Sequence, residues 1–72
     1  MNVTIFFKSS MSIEVKNLTA IEFSNSRGRR TLSGEHMETV ILNPHCAYVF
    51  IGEKESVAVF GADLLYVRFV KS

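Results

Sequence analysis

The chain has no tryptophan, one proline, one cysteine and four glycines among its 72 residues. The single cysteine, Cys46, rules out an intramolecular disulfide, and a lone thiol suits a reducing compartment. Metal ligands are scarce too. The candidates are His36, His45 and Cys46, and they lack the paired spacing of structural zinc sites. His45 and Cys46 are neighbours, so on a strand their side chains would point to opposite faces. No metal and no other cofactor is therefore expected.

Long apolar runs are missing as well. The longest stretch without a charged residue, Thr39 to Gly52, is broken by Asn43, Pro44 and His45, which is too short and too polar to cross a bilayer. Val3 to Phe7 is a short apolar run with no basic segment before it, so a secretory leader is not expected. These readings give a cytoplasmic protein with no membrane partner. Catalytic patterns are absent in turn: there is no Gly-x-Ser-x-Gly, no phosphate-cradling glycine loop before a helix, and no helix-borne histidine pair. Cys46 beside His45 is a poor nucleophile–base pair, because adjacent strand positions do not readily share a hydrogen bond. The expectation is a protein that is not an enzyme.

Charge of one sign is lacking overall, at a formal net +1. Such a balance argues against binding extended nucleic acid through its backbone. The basic character is local: Arg27, Arg29 and Arg30 supply three of the eight basic residues, and the remainder of the chain holds more acids than bases.

What is present alternates with a period of two almost throughout, which favours strands over helices. Strand patterns run over Val3–Lys8, Ser12–Lys16, Leu18–Phe23, Cys46–Ile51, Ser56–Phe60 and Leu64–Val70, and pattern also resumes at Glu38–Leu42. Ser24 to His36 is polar, glycine-bearing and basic, a loop or hairpin tip. Asn43-Pro44 marks a turn, Gly52 to Glu55 another, and Gly61-Ala62-Asp63 a corner. Residues 1–72 thus read as a single all-β domain, a small five- to six-stranded antiparallel meander or an SH3-like or Sm-like barrel. A faint repeat sets NLTAIEF (17–23) against DLLYVRF (63–69), with HCAYVFI (45–51) as a weaker third copy. Each copy reads as a polar corner residue, an anchoring Leu or Cys, then a strand.

A domain of this size buries only about 60% of the surface its unfolded chain exposes. Chains this short usually add disulfides, a metal or partner subunits. With the first two set aside, a homo-oligomer is expected. The second half supplies a surface for it, since its strands are apolar on both faces, which a sheet with one wet face should not be. Phe50, Phe60, Leu65, Val67 and Phe69 are the candidate interface residues.

Arg27-Gly28-Arg29-Arg30 is the candidate anion site, because arginine forks grip phosphates and carboxylates at two points and glycine allows close backbone approach. Tyr48 and Tyr66 are candidates for stacking on a base. The segment VTIFFKSSMSIEVKNLTAIEF (3–23), with its hairpin and its corner V-x-N-L-x-x-I-x-F (15–23), resembles the start of many short, uncharacterised all-β proteins of Gram-positive bacteriophages and related mobile elements. That resemblance implies action inside a host cell, as an inhibitor of a host system or a sponge for its signals. Three functions compete: an oligomer that sequesters a nucleotide-like anion, an inhibitor or adaptor that binds a host protein by strand addition, and a structural part of a larger assembly.

Overall fold

The computed structural model describes residues 1–71. Seven strands are found among them: β1 (Asn2–Phe7), β2 (Ser12–Val15), β3 (Leu18–Asn25), β4 (Gly28–Ser33), β5 (Ala47–Gly52), β6 (Ser56–Phe60) and β7 (Leu64–Val70). They form two antiparallel sheets, one ordered β2-β1-β7 and the other β4-β3-β5-β6. The protein is all-β and antiparallel. It has more strands than the five or six expected, and the sheets stay open instead of closing into a barrel.

The extra strand comes from the basic segment. Gly28–Ser33 pairs with β3 from Asn25↔Gly28 to Ala20↔Ser33. Its sequence, GRRTLS, offers Leu32 as its one large apolar residue, so alternation alone does not reveal it. A second difference lies at Glu38–Leu42, which is not a strand. Gly34–Thr39 forms a 3-10 helix whose Met37 is buried, and Val40 continues in extended geometry (φ −60°, ψ 133°) outside any ladder. The physical reason is that the backbone of this segment is tied down by a side chain instead of a ladder, with the Ile41 carbonyl accepting from the Tyr48 hydroxyl.

The core is what the alternation dictates. Val3 and Ile5 of β1, Val15 of β2, Leu18 and Ile21 of β3, Tyr48 and Phe50 of β5, and Leu64 of β7 are buried together, with Cys46 and Met37. Phe50 is wholly buried, so its place as an interface residue is corrected: it sits opposite Ile21 in the middle of the four-stranded sheet and fills the interior. Phe60 and Leu65 are exposed, at 69% and 59%. Val67 and Phe69 are half-buried and pack on the core from β7.

Corners carry the chain between sheets. Asn17 takes φ 52° between β2 and β3, a left-handed conformation that asparagine tolerates better than most residues. The bend is pinned from both sides. Asn17 N–H donates to Asn2 Oδ1 at 3.0 Å, Leu18 N–H to the Met1 carbonyl at 2.7 Å, and Glu53 N–H to the Asn17 carbonyl at 3.1 Å. The second corner is a 3-10 turn at Gly61–Asp63 between β6 and β7. Gly61 N–H donates to the Cys46 carbonyl at 2.7 Å, and a Cβ at this position would run into the carbonyl oxygens of Asn43 and Cys46. Leu18, Cys46 and Leu64, the anchors of the three repeat copies, are all buried where their strands begin.

Candidate functional site

The site begins with a turn. β3 and β4 are joined through Ser26 and Arg27, and Asn25 Oδ1 accepts the Arg27 N–H at 2.8 Å. This is the local side-chain-to-backbone bond that asparagine makes at chain reversals. Gly28 follows at φ 136°, which an L side chain rarely adopts. Asparagine and glycine thus fix the tip, and the tip places the arginines.

Residues directly opposite each other on paired strands share a face. Arg30 stands opposite Phe23, in the face that carries Ile21 and Leu32. Arg29 stands opposite Ser24 and reaches diagonally to Glu22, with Nε 3.8 Å from Oε1. Arg29 is exposed and Glu22 half-buried, and a long pair at the surface adds little stability, yet it satisfies part of the Arg29 charge. The three arginines are therefore not equivalent. Among the described residues, no carboxylate lies within ion-pair distance of Arg27 or Arg30.

Arg27, Gly28, Arg29 and Arg30 border a concavity of about 400 Å³ together with Phe23 and Asn25. A second groove of about 310 Å³ lies beside it. Its walls are Leu32, the 39–43 segment, Cys46 and Tyr48, and it includes Phe23 and Asn25 again. Two residues thus belong to both hollows. One hollow carries unpaired guanidinium charge, and the other is mainly apolar.

Tyr48 builds the second groove instead of contacting a ligand by stacking. Its side chain is buried, its ring lies between Phe23 and Phe50 at centroid separations of 6.0 and 6.4 Å, and its hydroxyl is fully engaged. The hydroxyl donates to the Ile41 carbonyl at 2.8 Å and accepts the Asn43 N–H at 2.7 Å. It is the tie that holds the 40–43 segment where no ladder does. The stacking role expected for Tyr48 is corrected on these grounds. Burial holds the Tyr48 hydroxyl above its ordinary 10.0, outweighing the Asn43 N–H bond that favours the phenolate. Cys46 lies in the groove wall, buried, with Asn25 Nδ2 at 3.8 Å from its sulfur.

Tyr66 lies on β7, in the three-stranded sheet, and does not border the arginine concavity. Its ring stacks on Phe6 across the β1–β7 ladder at 4.5 Å and 17°, and the Arg68 guanidinium sits 5.5 Å over the Phe6 ring. The structure does not bring Tyr66 to the hairpin site. Among the described residues, His36, His45 and Cys46 do not form a metal-binding group with any acid, and no helix is long and apolar enough to cross a membrane.

Sequence reading missed Phe23 and Asn25 as site residues. Phe23 reads as an inward strand position and Asn25 as loop filler, and only the β3–β4 register makes them the partners of Arg30 and Gly28. An asparagine two residues before an arginine and three before a glycine was the available signal for the turn. Comparison of the chain with protein families, with curated proteins and with solved structures finds no match.

Proposed function

We propose that the chain is a non-enzymatic, homo-oligomeric binding protein that captures a small phosphorylated ligand at the β3–β4 hairpin. Arg27 and Arg30 take the anionic group, and the groove beside them takes a flat or apolar portion. The observation that supports this reading best is the sharing of Phe23 and Asn25 by the charged and the apolar hollow. A nucleotide has this division, with charge at one end and a ring at the other. Arginine suits the first part because its planar fork meets phosphate oxygens at two points. Phe23 and Leu32 suit the second. With the phage resemblance, the setting is the cytoplasm of a host cell and the ligand a molecule that a host system uses.

The test is isothermal titration of inorganic phosphate and a panel of nucleoside mono- and diphosphates against the wild type and the Arg27→Ala/Arg30→Ala double variant. Charge-assisted hydrogen bonds are worth roughly 1.5–3 kcal/mol each, so the double variant should lose at least about tenfold in affinity for any ligand that binds. Both positions are exposed, so the melting temperature should not move. Equal affinity in the two proteins, or no binding of any phosphate compound to the wild type, would overturn the assignment.

A further inference from the structure

Four strands end their sheets with a free edge: β2 and β7 in the three-stranded sheet, β4 and β6 in the four-stranded one. A free edge is a template for another strand, and proteins blunt edges they do not use with charge or shortness. Two of the four are blunted in this way. β2 has only four residues and carries Glu14, and β4 carries Arg29 and Arg30. β6 and β7 are different. SVAVF has no charged residue; the one charge in LLYVRFV, Arg68, sits over its own Phe6, and Lys71 just beyond it is paired with Glu38 at 3.9 Å.

These two bare edges meet at the Gly61–Asp63 corner, one short turn apart. The interior is incompletely covered along them. Val57 and Val59 of β6 and Val67 and Phe69 of β7 pack on the core but remain only half-buried. Phe60, Leu65 and Val70 are exposed on the same two strands. Each sheet therefore stops short, on an apolar row, at the place where the other begins.

We infer that a second copy of this chain covers these edges: β6 of one copy pairs with β7 of the next, head to tail. This specifies the self-association in the function proposed above and does not depend on the ligand. Pairing of this kind would join the three-stranded sheet of one copy to the four-stranded sheet of its neighbour. Val57 and Val59 of the neighbour would then extend the row formed by Val67 and Phe69. The head-to-tail arrangement employs both bare edges of every copy. A twofold pairing of like with like, β6 on β6 or β7 on β7, would leave the other edge naked.

Native mass spectrometry of the untagged protein, with phosphate-free buffer, provides the test. The wild type should run above the 8.1 kDa chain mass. Ala58→Lys/Phe60→Lys blocks the β6 edge and Leu65→Lys/Val70→Lys blocks the β7 edge. All four positions are exposed, so each variant should keep the wild-type far-UV dichroism and run as a monomer. Mixed, the two should form a one-to-one species of twice the chain mass, since each retains the edge the other has lost. A monomeric wild type across micromolar to millimolar concentration overturns the proposal and leaves the edges to a strand of some other protein. Persistence of the oligomer in one blocked variant overturns it in favour of a like-with-like pair. A ligand-free oligomer that binds no phosphate compound would uphold this inference while refuting the anion site.

Discussion

Tyr48→Phe isolates the tie that holds the 40–43 segment. The substitution keeps the ring and its packing between Phe23 and Phe50 and removes only the hydroxyl, hence the 2.8 Å bond to the Ile41 carbonyl and the 2.7 Å bond from the Asn43 N–H. A neutral hydrogen bond contributes about 0.5–1.5 kcal/mol net. Two are lost, but Ile41 and Asn43 are surface residues whose backbone groups can turn to water, so the sum should fall near 1–2 kcal/mol. At roughly 4–8 °C per kcal/mol for a domain of 60–100 residues, the melting point should drop by about 5–15 °C. Thermal and urea unfolding followed by circular dichroism measure the melting point and the free-energy loss, with the urea midpoint shifting and the slope unchanged. The variant should also expose Cys46, whose groove wall includes that segment, so labelling of its thiol by a neutral reagent should accelerate. A stability loss under about 0.3 kcal/mol with unchanged labelling would refute the tie.

The Tyr48 hydroxyl is held above 10.0 in the folded protein, so its contribution is fully present below pH 10 and is lost as pH rises from there through the folded value; Tyr48→Phe should flatten that part of the stability–pH profile. Gly61→Ala should destabilise by about 1–3 kcal/mol or prevent folding, because the added methyl meets the Asn43 and Cys46 carbonyls, and chemical denaturation reads the difference. Leu64→Ala should cost about 2–5 kcal/mol as a buried truncation at the start of β7, whereas Leu65→Ala, one residue on and exposed, should leave the dissociated protein within about 0.5 kcal/mol of wild type.

The strands that pack the interior were legible because they obey a single rule. Val3 and Ile5 of β1 lie two apart, and burial follows the alternation directly. The polar corner followed by an anchoring residue was legible too, and Leu18, Cys46 and Leu64 occupy it as the repeat suggested. β4 was hidden because only Leu32 of its six residues is a large apolar one, which leaves no alternation to read. Val40-Ile41-Leu42 misled for the opposite reason: it has strand composition, but its hydrogen bonding goes to a tyrosine hydroxyl fixed elsewhere. The arginines were visible as a cluster in sequence. Their inequivalence was not, because it depends on which of them falls opposite Phe23 and which beside Glu22. The inward position of Tyr48 and Phe50 is not marked in the sequence, because their strand is apolar on both faces.

The pairing of β1 with β7 has a bearing on how the molecule comes into being. β1 is the middle strand of its sheet, and Asn2 lies opposite Val70. On a ribosome adding about 5–20 residues per second, β1 emerges first and waits several seconds for one of its two flanks. During that interval the nascent chain holds an apolar strand with half its backbone groups unmatched. Folding can only finish after synthesis of β7 has ended, and contacts so far apart in sequence form slowly. Completion of the β2-β1-β7 sheet is thereby tied to the length of the nascent chain.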